Sequence, residues 1–303
     1  MANVLLTIVA SALVGASVTR WWTRRMSKPS TAAGSLPLIA GKPEEWTHFA
    51  SRHRPFLERF PELKTAVNLA FFRDFESDRP VDPLVFYMGR LCTEEFFEIL
   101  LLCANGYGVG GLKLLRGVYE RVVTMRRLSA HPDETDSFLD FHLVQNGKLA
   151  RAALDTFGTD LTEEQRGRLE AAVKEYDRVK PQFMVPDCTE CGTQRVNHTW
   201  SRLDFVAMAR SVGPTGSLLV PCYYQPLSYA HSTAQAFLSR LKITTGDEMS
   251  FVNGPEREQA DQVLMLAHNL LLDVLDLQRS HFKLDNLNEP LERCMSAFRE
   301  IWA

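Results

Sequence analysis

The sequence has no Walker loop, no Rossmann glycine pattern, no Gly-x-Ser-x-Gly elbow and no carboxylate-rich metal motif. These absences exclude the motif-borne routes to nucleotide hydrolysis, dinucleotide binding and acyl transfer. Glycines do cluster between Gly106 and Gly111, but no strand pattern precedes them, so they do not read as a phosphate cradle. Cysteine is sparse: six residues at 92, 103, 188, 191, 222 and 294, too scattered for a disulfide scaffold, so reduced thiols are expected. Charge is balanced, with 34 Lys and Arg against 37 Asp and Glu. A near-neutral chain has no global basic field, so any nucleic-acid contact has to be local. Alternating strand patterns and internal repeats are missing. There is no sustained heptad seam either, and a homodimer is expected only because bundles commonly pair.

What is present begins at the N-terminus. Val4 to Val18 carries no charge and is followed by Arg20, Trp21, Trp22, Arg24, Arg25 and Lys28. Aliphatic segments partition into hydrocarbon as helices, indoles favour the headgroup zone, and basic clusters stay cytoplasmic. The expectation is a single-pass transmembrane anchor within residues 1–28, meeting membrane lipid through residues 4–22. Its N-terminus would face out of the cell membrane and the C-terminal domain would be cytoplasmic. A cleaved signal peptide fits less well, because its positive charge belongs before the apolar run. Residues 29–43 are rich in Pro, Gly and Ser and read as a flexible linker, leaving 44–303 as the folded domain.

That domain reads as an all-α helical bundle. Trp46, Phe49, His53, Phe56, Leu57 and Phe60 recur at steps of three and four, predicting one helix that Pro43 starts and Pro61 ends. Asp82-Pro83 opens a second apolar helix, which Asn105-Gly106 breaks, and Leu112 to Leu128 continues in the same character. Further helices are predicted over Asp133 to Phe157 and over Thr162 to Phe183, the latter begun by a Thr162/Gln165 capping box. A shorter piece covers Trp200 to Val212, and long helices are predicted over Leu218 to Ile243, Pro255 to Phe282 and Leu287 to Trp302. Val263 to Leu277 is apolar on most faces, the mark of a central helix.

Candidate chemistry rests on a few polar residues in apolar helices. Arg116 and Glu120 are four apart and share a helical face, either as a structural ion pair or as an anion-directed arginine oriented by its glutamate. His231 follows Ser228 by three residues and Tyr224 by seven, one stripe if Pro226 leaves the helix intact. An imidazole among hydroxyls suits general acid–base work near neutral pH and equally suits a satisfied core position. Cys188, Cys191 and His198 offer three ligands for a zinc ion, with Cys222 as a fourth, although a second paired element is lacking; no other cofactor is expected.

An Arg-x-x-x-Glu helix, a Trp200-led segment and then Tyr-x-x-x-Ser-x-x-His resemble a bacterial family, domain of unknown function 5677. The resemblance covers roughly Pro83 to Leu241 and rests on Arg116, Glu120, Trp200, Tyr224, Ser228 and His231. It implies an all-helical domain, a family sometimes compared with the HEPN helical ribonucleases. The HEPN Arg–His spacing is absent around His231; its one literal match, Arg126 with His131, sits at a helix end. Two functions are expected. The first is metal-independent RNA cleavage in stress or phage defence, with Arg116 clamping phosphate, His231 moving the 2′-hydroxyl proton and Tyr224 or Ser228 orienting it. The alternative is a non-enzymatic sensor or scaffold in which those residues lock the bundle.

Overall fold

Apolar side chains at helical spacing account for nearly every element in the computed structural model, which describes residues 43–187, 191–231, 233–243, 249–254 and 256–303. The chain divides into two compact units, one formed by residues 39–133 with 205–303 and the other containing residues 134–204.

In the larger unit the helices are α1 (Pro43–Arg52), α2 (Arg54–Phe71), α3 (Val81–Ala104) and α4 (Gly108–Ala130). After the residues of the other unit come α7 (Phe205–Ser211), α8 (Gln225–Ala230), α9 (Ala234–Leu238), α10 (Arg257–Phe282) and α11 (Asn288–Trp302). The core is the mutual packing of α3, α4 and α10. Helix α10 buries Val263, Leu264, Ala267, Leu270, Leu271, Val274 and Leu275, so the expected central helix is central. Each of these valines and leucines fully withdrawn from water contributes about 1.5–3 kcal/mol. Gly108 sets the closeness of α4 to α10: a Cβ there would lie 2.3 Å from the Ala260 nitrogen. Gly106, at φ 75, turns the chain between α3 and α4, where Asn105-Gly106 was expected to break it.

His53 and His268 are satisfied core imidazoles. His53 bonds Asp261 at 2.8 Å, and Trp302 Nε1 donates to His268 Nδ1 at 3.1 Å. At the start of α10, Arg257 bonds both oxygens of Glu45 at 2.9 Å, tying α1 down.

The smaller unit pairs α5 (Thr135–Phe157) with α6 (Glu163–Val179). The expected capping box is present: Thr162 Oγ1 accepts from the Gln165 amide and Gln165 Oε1 from the Thr162 amide. Gly147 lets the helices meet, since a Cβ there would fall 2.1 Å from Tyr176 Cβ. A short antiparallel hairpin, β1 (Met184–Pro186) with β2 (Gln194–Val196), follows. Trp200 is buried, edge-on to Phe138 at 5.4 Å.

Three expectations are corrected. The first helix does not run from Pro43 to Pro61: it stops at Arg52, the bend falls at His53, and Pro61 lies inside α2. Pro55 sits in the first turn of α2, where a missing N–H costs nothing, and burial of Phe56, Leu63, Val67 and Phe71 offsets the bond lost at Pro61. Leu218 to Ile243 is not one helix. It is a π-helical turn (Val220–Tyr224), then α8, α9 and β3 (Leu241–Ile243), which pairs with β4 (Met249–Phe251). Pro221 and Pro226 remove donors, and His231 is extended at φ −99, ψ 161.

The third concerns the membrane. Among the described residues no helix is long and apolar enough to cross a bilayer, so the single-pass placement at a cell membrane is withdrawn. Residues 4–22 and most of the 29–43 linker lie outside the described residues.

Candidate functional site

Helix α4 presents Arg116 and Glu120 one turn apart, and both the π-helical turn and α8 pack against it. Arg116 Nε donates to Glu120 Oε1 at 2.7 Å, the two side chains being 26% and 39% exposed. The guanidinium lies over the Tyr223 ring, 4.9 Å from its centroid. Tyr223 is itself fixed between Phe205, at 4.6 Å, and Tyr224, at 5.4 Å. Glu120 and Tyr223 therefore set the plane of the Arg116 fork, and among the described residues its only hydrogen bond uses Nε. The Nη edge remains for a ligand, in the in-plane geometry that suits phosphate or carboxylate. A π-helical turn at this point is consistent with a functional constraint, since such turns often mark sites.

Of the remaining sequence candidates Ser228 lies in α8, with Tyr224 just before it and His231 just after. Tyr224 is exposed beside Tyr223. The Ser228 hydroxyl is spent locally, donating to the Tyr224 carbonyl at 3.2 Å. His231 is the exposed residue that ends α8, its backbone N–H bonding the Leu227 carbonyl at 3.4 Å. No hydrogen bond links its imidazole to Ser228, Tyr224 or Arg116. Arg116, Glu120 and Tyr223 are thus brought together, whereas His231 stands beyond them at the far end of a short helix. Trp200 belongs to the smaller unit.

Residues 84–249, more than half of the chain, match a family of unknown function, DUF5677. The chain belongs to that family. All six residues that carry the resemblance fall inside the matched segment, and the fold is the all-helical one the resemblance implies. No curated protein and no solved structure matches the chain. DUF5677 membership therefore brings a fold and a boundary to this chain but no assigned chemistry.

The zinc candidates are not assembled. Cys188 lies outside the described residues. Cys191 is exposed with its sulfur 3.2 Å from Thr193 Oγ1, and His198 is exposed on the segment after β2. Cys222 is buried in the larger unit, and burial pushes its thiol up to about 12, so it stays protonated and is a poor ligand. Among the described residues no three His, Cys, Asp or Glu side chains converge.

Arg126, of the literal Arg–His match, is committed elsewhere. Its Nε donates to Asp273 at 2.7 Å and its Nη2 to Asp276 at 3.1 Å, while Thr215 donates to Asp273 at 2.6 Å. Sequence reasoning also missed a buried relay in the larger unit. His281 Nε2 lies 2.8 Å from Asp82 Oδ1, with side chains 4% and 6% exposed, and His281 Nδ1 is 2.7 Å from Ser129 Oγ. Ser77 and Arg79 also donate to Asp82. Burial raises the Asp82 carboxyl, but these donors together outweigh it and hold it below its ordinary value. Asp82 opens α3 and His281 closes α10, so each also complements a helix dipole. That dipole pattern was the one available signal; the pairing itself joins residues almost two hundred positions apart.

Proposed function

We propose that the α4–α8 face of this DUF5677 protein recognises the phosphates of single-stranded RNA and that His231 promotes cleavage there without a metal. The observation that carries the reading is Arg116: a guanidinium held in plane by Glu120 and Tyr223, with its Nη edge uncommitted among the described residues. Tyr224, exposed beside Tyr223, offers a ring for base stacking. In the reaction, His231 takes the proton of a 2′-hydroxyl and the oxygen attacks the adjacent phosphorus. The 5′-oxygen leaves with a proton from water, and a 2′,3′-cyclic phosphate remains. Balanced net charge agrees with a local contact rather than a long basic track.

One observation favours a second reading, a sensor or scaffold that binds without cutting: the Ser228 hydroxyl is spent on the Tyr224 carbonyl rather than on the imidazole. The two separate in one assay. The full chain is incubated with 5′-labelled single-stranded RNA in the presence of EDTA, beside His231→Ala and Arg116→Gln. Cyclic-phosphate products that disappear in both variants support cleavage. Intact RNA that binds the wild type but not Arg116→Gln supports recognition alone, and no binding ends both.

A further inference from the structure

A second arginine of the larger unit, remote in sequence from the α4–α8 residues, has no acidic partner among the described residues. Arg73, just past α2, lies among three rings, with its guanidinium carbon 5.7 Å from the centroid of Phe75, 5.1 Å from Phe86 and 4.8 Å from Phe282. The Phe75 and Phe86 rings are themselves stacked at 4.4 Å. Its hydrogen bonds go only to backbone carbonyls, from Nε to Ala70 at 3.1 Å and from Nη1 to Asp74 at a long 3.5 Å, while Nη2 is buried with no partner. No carboxylate among the described residues pairs with it. Cation–π contacts stabilise such a group but do not neutralise it. A partly buried, uncompensated guanidinium is costly unless something supplies the opposite charge.

Arg73 lines a groove of about 530 Å³ together with Thr65, Asn68, Leu69, Phe72 and Asn286. That volume suits a small molecule. The side-chain amides of Asn68 and Asn286 are engaged by no other described residue, and the Phe72 ring is 72% exposed. Neutral donors beside an unpaired cation, with an apolar wall, match one kind of ligand. Nη2 is shut away from solvent, so Nη1, exposed and held only by its long bond to Asp74, is the nitrogen left to meet an oxyanion in the groove.

We infer that this groove binds a small organic anion, a carboxylate or phosphate monoester on an apolar body, with Arg73 as its charge partner. Anion and guanidinium pair in the groove, Asn68 and Asn286 donate to the remaining oxygens, and the body lies on Leu69 and Phe72. This reading does not depend on RNA recognition at Arg116, so either can fail alone.

The test is calorimetric titration of the full chain with benzoate, phenyl phosphate and neutral benzamide. At least one anion binds and benzamide does not; the tighter of the two anions identifies the head group. Arg73→Gln weakens the anion by at least about tenfold, the loss expected for a charge-assisted hydrogen bond. Asn68→Asp, at an exposed position, places a carboxylate in the groove; it abolishes anion binding and raises the melting temperature. Failure of both anions to bind the wild type, equal binding of benzamide, or unchanged affinity in Asn68→Asp overturns the inference. Asn68→Asp decides the matter if Arg73→Gln does not fold.

Discussion

Replacing Arg116 by Gln separates recognition from structure because the two roles differ in size. Its pair with Glu120 is an i,i+4 contact between side chains 26% and 39% exposed, so solvent screens it, and such pairs are worth about 0.3–0.5 kcal/mol. Stacking on Tyr223 adds about 0.5–1 kcal/mol at a partly exposed position. Gln keeps part of the side-chain stem over the ring, so the total loss stays near or below about 1.5 kcal/mol. For a unit of this size that lowers the melting temperature by roughly 3–6 °C. Loss of a phosphate clamp is larger where it is measured: affinity for a fluorescein-labelled single-stranded RNA falls by about tenfold or more. The salt dependence loses about one phosphate contact, a change of about 0.7 in the slope of log affinity against log salt. Anisotropy titrations between 50 and 200 mM salt, paired with circular-dichroism melts, read both quantities. A melting temperature more than about 10 °C lower, with RNA affinity and salt slope unchanged, would refute the reasoning and make Arg116 a packing residue.

Three further outcomes follow from the geometry. In the smaller unit, Gly147→Val drives side-chain carbons into Tyr176, whose Cβ would be 2.1 Å from even a bare Cβ there. A loss of about 1–3 kcal/mol is expected, localised by hydrogen exchange to α5 and α6; unchanged protection there would show that the helices do not meet as described. Burial lowers the His268 pKa to about 4 against an ordinary 6.5, so the folded state resists its protonation and the unfolded state does not. Stability linked to it is full above pH 6.5 and is lost as pH falls toward 4, by up to roughly 3 kcal/mol; His268→Phe removes that part of the acid slope in denaturant titrations at stepped pH. Asp82→Asn weakens the donors' grip on a buried acceptor and costs on the order of 2–4 kcal/mol at pH 7. Because the folded carboxyl lies below its ordinary value, the gap from wild type narrows as pH falls through the carboxylate range, and a gap constant from pH 7 to pH 2 would contradict that origin.

Much of the helical layout was legible because its signals are local. Thr162 and Gln165 announce a capping box within four residues, Asn105-Gly106 announces a break, and Val263 to Leu277 announces burial by being apolar all round. Where two apolar stripes share a helix, periodicity could not choose between them. In α3, Phe86 and Phe96 are buried while Leu91 and Leu101 of the same pattern face solvent. Pro61 was misread for a related reason: a proline is a breaker only if packing does not compensate, and four buried residues of α2 do. The stripe of Tyr224, Ser228 and His231 failed at its last member because Thr233 caps a new helix and His231 leaves the helical region.

The sequence alone determined that this chain is helical, where most helices begin and end, and that Arg116 and Glu120 face the same way, because all of these depend on neighbours within about one turn of helix. Tertiary structure decided who meets whom. It placed Tyr223 rather than Tyr224 or His231 under the Arg116 guanidinium, joined Asp82 to His281, and left Arg73 among three rings with no acid among the described residues to answer it. Such pairings form only when distant helices pack, and no spacing along the chain encodes them.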